Sequence, residues 1–311
     1  MRHWRENRGT AIAGFGEFET LTLPVAGAEL TITFLGTRND VDKSAIVEWV
    51  RDTADDIALA YGRFPDPSAN VVVIPVGNSL ERGDAPVIFG RVVRDGGETV
   101  ELLINEDIPI AEYYDDWTAT HEFSHLMLPY LHGGQRWISE GFAQYYQNVL
   151  LLRAGRYSED HAWQKLYDGF ERGRLSAPGL SPNEAATSDE RDTRMKIYWS
   201  GAALALMADV ELRRRSGGAE SLDIVLDRLQ QCCLPSQYTW SGRELFTKLD
   251  SLIDEPLFLS LYRQYADASD FPDLQPLLQR LGVTVDDAGI HLSSDTELAP
   301  VRTAISTAAS H

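Results

Sequence analysis

Cysteine is nearly missing from this chain of 311 residues: there are two, Cys232 and Cys233, side by side. Two neighbours supply no disulfide framework and no CxxC metal site. The expectation is a pair of buried, reduced thiols at a helix end, since adjacent residues rarely reach the separation that a disulfide prefers. Long apolar runs are missing as well. No segment approaches the ~18 apolar residues of a membrane span, and the opening MRHWRENRGTAIAGFGEFE lacks the apolar core of a secretory leader. That reads as a soluble chain, cytoplasmic or exported with its leader removed. Positive charge is scarce: 28 Lys and Arg stand against 47 Asp and Glu, a formal net charge of −19. Phosphate backbones need a basic surface, so nucleic acid is excluded as a partner. The one dense basic run, Arg213-Arg214-Arg215, closes a helical stretch, where cations complement the helix dipole.

What is present is a globular composition, 43% hydrophobic and 24% charged, in a length that suits one large domain or two lobes. Residues 20–35 (TLTLPVAGAELTITFL) alternate like two strands around Ala26-Gly27, and residues 41–62 carry helical spacing at Ile46, Val50, Ile57 and Leu59. Three more β-rich stretches follow at 70–76, 85–93 and 98–105, the last two flanking RDGG, a hairpin signal. From about residue 111 the pattern is helical almost to 283, apart from 171–194, which lacks apolar periodicity and reads as a long loop. The order predicts an α+β fold: an α/β lobe over 1–135 with a mixed sheet, a mostly helical lobe over 136–285, and a C-terminal tail over 286–311.

The chemistry is concentrated at HEFSH, His121 to His125. A helix over 111–128, stopped by Pro129, places residues i and i+4 on one face, so both imidazoles can share one metal ion. Glu122, about 100° round the helix, lies beside that ion, where a general base acting on a metal-bound water belongs. The rival reading is a surface helix with a histidine pair and no metal. A catalytic zinc needs a third protein ligand and an open position. Fifteen residues on comes WISEGFAQYY, where a second helix starts near Ile138 with a core face at Ile138, Phe142, Tyr145, Val149 and Leu152. Glu140 lies off that face in the first turn and is the candidate third ligand; its ordinary alternative is an acid favoured by the helix dipole. Gly141 behind it weakens the helix by ~1 kcal/mol, which makes sense where two elements approach closely.

HEFSH followed by WISEGFAQYY resembles the gluzincin metallopeptidases, whose pattern is HExxH, a spacer, then EGxAxY. Two families come nearest, the aminopeptidase N family and, more closely, the glycyl aminopeptidase family. The likeness continues through IYWSGAALALMADVELRRRSGGAESLDIVLDRL, residues 197–229. It covers recognisable pieces of about 85–255 at the level of motifs. It implies a thermolysin-like two-lobe metallopeptidase domain acting on peptides or proteins, with one zinc ion per chain held by His121, His125 and Glu140. Glu122 would be the base. Tyr198, three residues before Gly201, matches the tyrosine that stabilises the tetrahedral intermediate; alone it reads equally as a core tyrosine. Gly201, Ala202, Ala205 and Ala208 form a small-residue face for close packing, and Ser221 is a plausible N-cap.

The chain departs from those families in VIFGRVVRDGG, residues 87–97, where an amine-reading pattern should stand. Gly90 is there, but Arg91 is basic where an amine reader would be acidic. That puts N-terminal exopeptidase specificity in doubt, although the strand can still take a peptide as an added β-strand. The families' large β-rich N-terminal domain and C-terminal PDZ domain have no counterpart here, so the expectation is a catalytic domain alone. The other histidines, His3, His132, His161, His291 and His311, have no ligand spacing. Two rival functions remain at this point: a catalytically silent binding module of the same fold, which the intact Glu122 disfavours, and a zinc hydrolase of a non-peptide substrate. Oligomeric state is left open.

Overall fold

A computed structural model of the chain describes residues 18–36, 42–76, 85–94, 97–189 and 191–308. They fall into two compact units, one ending at Met127 and the other starting at Leu128. His3, His311 and the opening segment lie outside the described residues.

The first unit is built on a five-stranded mixed sheet. Strands β1 (Glu19–Val25) and β2 (Ala28–Phe34) form the expected hairpin. Its two turn residues, Ala26 and Gly27, both take positive φ, 44° and 77°, as a tight two-residue hairpin requires. Alternation buries Leu30, Ile32 and Phe34. Helix α1 (Lys43–Ala58) starts where the Asp42 side chain accepts from the Ala45 N–H, and buries Ile46, Trp49, Val50, Ala54 and Ile57 along one stripe. Strands β3 (Asn70–Val76), β4 (Val87–Val93) and β5 (Thr99–Asn105) complete the sheet in the order β1-β2-β3-β5-β4. Its centre is parallel and its two ends antiparallel. The β4–β5 pairing begins at Val93 opposite Thr99, around the predicted RDGG turn, whose Asp95 and Gly96 lie outside the described residues.

The single helix predicted over 111–128 is broken. Helix α2 (Ile110–Tyr113) ends, and α3 (Thr118–Ser124) starts afresh before running into a 3-10 turn, His125–Met127. Asp116 causes the restart: its carboxylate accepts the Thr118 N–H at 2.7 Å, the local hydrogen bond by which Asp competes with a continuing helix.

The second unit is helical. A 3-10 turn (Gly133–Gln135) leads into α4 (Arg136–Arg153), followed by α5 (Glu159–Leu175), α6 (Pro182–Thr187), α7 (Arg194–Ser216) and α8 (Leu222–Cys233). Then come α9 (Gly242–Asp250), α10 (Phe258–Tyr265), α11 (Gln275–Arg280), a hairpin of β6 (Val283–Asp286) and β7 (Gly289–Leu292), and α12 (Ala299–Ser306). Serine caps recur: Ser158, Ser181, Ser221 and Ser241 each accept an N–H from the first turn of their helix. Among the described residues no helix is long and apolar enough to cross a membrane.

Helices α4 and α7 pack at backbone distance. A Cβ placed on Gly141 would stand 2.2 Å from the Gly201 Cα, and one on Gly201 would meet the Trp137 carbonyl at 2.2 Å. Around this contact lies a buried ionic network. Asp209 accepts from the Tyr145 hydroxyl (2.8 Å), Arg213 Nε (3.0 Å) and the Leu222 N–H (2.8 Å). Asp223 accepts from the Tyr146 hydroxyl (3.0 Å), Arg153 (2.9 Å) and Arg213 (3.1 Å). Burial and these carboxylates push both tyrosine hydroxyls far above their ordinary pKa, so they stay donors.

Three sequence expectations are corrected here. Segment 171–194 is no continuous loop: α5 runs to Leu175, and α6 forms on a capping box between Ser181 and Glu184, a short-range signal that carries no apolar period. The two cysteines are joined to each other, Cys232 exposed and Cys233 half-buried. At the end of α8 they have no core to enter, and their side chains turn toward one another. The stretch after 285, read as a tail, carries β7 and α12, whose buried Arg302 donates to the carbonyls of Leu281, Gly282 and Ser293.

Candidate metal centre

Helix α3 is not a surface helix. All seven of its residues are buried, with His121 2% and Glu122 8% exposed. An imidazole and a carboxylate held this far from water need an electrostatic reason to be there. The His121 and His125 rings lie 4.9 Å apart, centroid to centroid, at 90°. His125 sits at the cap, one helical turn on, and is half-buried. Trp117, partly exposed at the start of α3, meets the His121 ring edge-on at 5.7 Å.

Two residues of the sheet shape this helix. Gly90 on β4 lies against Glu122: a Cβ there would stand 2.5 Å from the Glu122 Cγ. The missing side chain is what lets the carboxylate lie against the strand. Arg94, at the end of β4, donates to the His125 carbonyl at 2.7 Å and pairs with Glu98 at 2.9 Å. Both side chains of that pair are less than a tenth exposed. Arg94 was missed in the sequence because it reads as the first residue of a turn. Arg91, one residue after Gly90, pairs with Glu101 across the β4–β5 ladder.

On the helical unit, Glu140 is the fifth residue of α4 and half-buried. The predicted helix start at Ile138 moves to Arg136, which places Glu140 in the second turn, past the strongest pull of the helix dipole. Gly141, the next residue, makes the close contact with Gly201. Tyr198 is three residues before Gly201 on α7, half-buried, with the Arg194 guanidinium 5.7 Å over its ring. Its neighbour Trp199 is core: Gly169 and Gly173 leave room for its indole, and it packs edge-on against Phe170. That separates the roles of two aromatic residues which a loose alignment would confuse.

His121, His125 and Glu140 each offer one ligand atom, and these atoms lie within 4.8 Å of one another. Among the described residues no other group of three or more His, Cys, Asp or Glu side chains has such an arrangement. Two neutral imidazoles with one carboxylate is a donor set that suits zinc and leaves a coordination position for a reactant. His132 and His161 are exposed, and His291 pairs with Asp286 on the β6–β7 hairpin, so none joins the group.

A family model described as M61 glycyl aminopeptidase matches residues 130–203. No curated protein matches. Among solved structures, an aminopeptidase N family protein from Idiomarina loihiensis superposes with a TM-score of 0.65 at 18% identity, over 87% of this chain and 50% of that one. A mutant M1 zinc metallopeptidase from Deinococcus radiodurans, bound to a Tyr-Ser-Ala substrate, gives 0.51 at 16% identity, over 83% and 54%. The chain thus spans about half the length of the solved structures it matches. The resemblance to the glycyl aminopeptidases and the aminopeptidase N family, read from motifs, stands in both sequence and fold.

Proposed function

We propose that this chain is a zinc metallopeptidase of the gluzincin type. The observation that carries the reading is the meeting of His121, His125 and Glu140, with the buried Glu122 next to the first of them. The family and fold likenesses support it. In this reading the organisation is two-lobed and thermolysin-like, with His121, His125 and Glu140 as ligands, Glu122 as the base and Tyr198 as the oxyanion donor.

A zinc ion, when bound, supplies a Lewis acid that polarises a carbonyl and makes water acidic enough to be deprotonated near neutral pH. Everything else is done by the protein's own groups. Glu122 Oε takes the proton of the attacking water and delivers it to the leaving amine nitrogen. The Tyr198 hydroxyl donates to the oxygen on which negative charge grows. Strand β4 ends the sheet's order and has a strand partner on one side only among the described residues. Its outer edge accepts a peptide by backbone hydrogen bonds, while Gly90 leaves room for Glu122 against the strand. With Arg91 and Glu101 paired behind it, β4 offers no acid to read a free amine. We therefore place the preference on internal peptide bonds.

The test is metal analysis together with a peptide-library cleavage profile. One zinc per chain and cleavage abolished by Glu122→Gln with the zinc retained is the expected result. A chain that binds no zinc, or a Glu122→Gln variant as active as the parent, sinks the reading.

A further inference from the structure

The helical unit holds a second concavity that the peptidase reading does not use. It is a cavity of about 340 Å³ in which side chains of α7, α10 and α11 meet the start of α12. That is within the size at which pockets begin to hold small organic ligands, about 300–1,000 Å³. Its floor is aliphatic: Val210, Leu257, Leu261, Leu274, Leu277 and Leu298. Its rim is charged, with Arg214, Arg215 and Arg280 beside Glu211 and Asp273.

The state of those three arginines defines what the cavity selects. Arg280 is spent on Glu297, with bonds of 3.0 and 2.9 Å. Arg214 grips Glu211 with two bonds, 2.7 and 2.8 Å. Arg215 reaches the same carboxylate through Nε alone, at 2.6 Å. One carboxylate thus serves two guanidiniums, and both terminal nitrogens of Arg215 have no hydrogen-bond partner among the described residues. The remaining acid of the rim, Asp273, already accepts the Gln275 N–H at 3.1 Å. The three arginines are matched by Glu211, Asp273 and Glu297, so what sets the mouth apart is one guanidinium left half-used over an apolar floor. A guanidinium's paired N–H groups fit a carboxylate two-to-two.

We propose that this cavity binds a free amphipathic carboxylate, an aliphatic chain lying on the leucine floor with its carboxylate on the terminal nitrogens of Arg215. A peptide is disfavoured by the floor itself. It is made of side chains from helices and their N-caps, with the Leu257 and Leu298 N–H groups already donated to Asp250 and the Arg280 carbonyl, so the amides of a peptide would be desolvated with few partners. An alkyl chain has nothing to satisfy and gains from each buried methylene.

Calorimetric titration of the full chain with sodium decanoate tests this, beside decanol, decylamine and N-acetyl-leucyl-leucine. Saturable one-to-one binding of decanoate is expected, at least about tenfold tighter than the alcohol or the amine, as one charge-assisted pair implies. Arg215→Gln should weaken decanoate about tenfold, and Ser260→Trp, which fills the mouth, should abolish binding. Both positions are exposed, so both variants fold. Decylamine binding as tightly as decanoate, parental binding in both variants, or tighter binding of N-acetyl-leucyl-leucine would each overturn the assignment.

Discussion

Gly90→Ala separates a positioned base from one that merely sits nearby. The added methyl carbon would stand 2.5 Å from Glu122 Cγ and 3.0 Å from its Cδ and Oε1. Carbon atoms in contact rest about 3.5–4.0 Å apart, so the Glu122 side chain must retreat by about 1 Å. The backbone has no objection, because Gly90 is not among the glycines at positive φ. Overpacking of this kind costs about 1–3 kcal/mol of stability. A displacement of about 1 Å in a reacting group lowers turnover on the order of 10²-fold, which corresponds to about 2.7 kcal/mol in the barrier. The proposed zinc ligands are not the atoms struck, so metal content should match the parent. The assay is kcat and KM on a peptide found by library profiling, with zinc content and a urea melt on the same preparation. Loss of kcat with zinc retained and most stability kept is expected. Parental kcat in a folded, zinc-loaded Gly90→Ala protein would refute the placement of Glu122 as the base.

Tyr198→Phe should lower kcat by about 10²–10³-fold, the usual loss on removing one oxyanion donor, with zinc content unchanged; equal turnover would return Tyr198 to a packing role. Arg94→Met leaves a carbonyl of His125 and the buried Glu98 carboxylate without that guanidinium. Zinc affinity measured against a competing chelator should fall about tenfold, the lower end for groups that orient a ligand, and unchanged affinity would show that Arg94 serves folding alone. Asp223→Ala breaks a buried network of two arginines and a tyrosine and should cost about 3–5 kcal/mol in urea; a loss under about 1 kcal/mol would mean that the network is hydrated. Glu211 is held down to about 2 by its bonds to Arg214 and Arg215. A carboxyl depressed in the fold stabilises above its unfolded pKa and loses that contribution as pH falls toward the folded one. The parent's melting temperature should therefore drop more than that of Glu211→Gln between pH 4.5 and about 2, and parallel curves would contradict it.

The first hairpin was legible because period-two alternation survives in its second strand, and the other three strands as short β-rich runs between turn signals. The candidate metal group was legible because i, i+4 spacing is a local property and Glu140 sits beside a glycine that only close packing explains. What was not legible depends on partners distant in sequence. Arg94 acquires meaning only when the end of β4 meets the His125 carbonyl. Arg213 looked like one of three surface cations, yet it is buried between Asp209 and Asp223, and nothing in the triplet marks which arginine turns inward. The break in the helix before HEFSH was readable in principle. Asp115-Asp116 ahead of Trp117 and Thr118 is a restart signal, and hydrophobic spacing masked it. The Cys232–Cys233 link was judged by the usual span of a disulfide, a rule that says little about neighbours at a helix end.

The contact of Gly141 with Gly201 has a consequence for heat. Most helix pairs are kept apart by side chains that hop between rotamers more often as temperature rises, and their axes drift with that motion. Here main chain rests on main chain, and there is no rotamer between the two helices to populate. Glu140 precedes one glycine and Tyr198 lies a turn from the other, so their separation should expand less on warming than the protein around it. Activity should then follow a straight Arrhenius line until the helical unit itself melts.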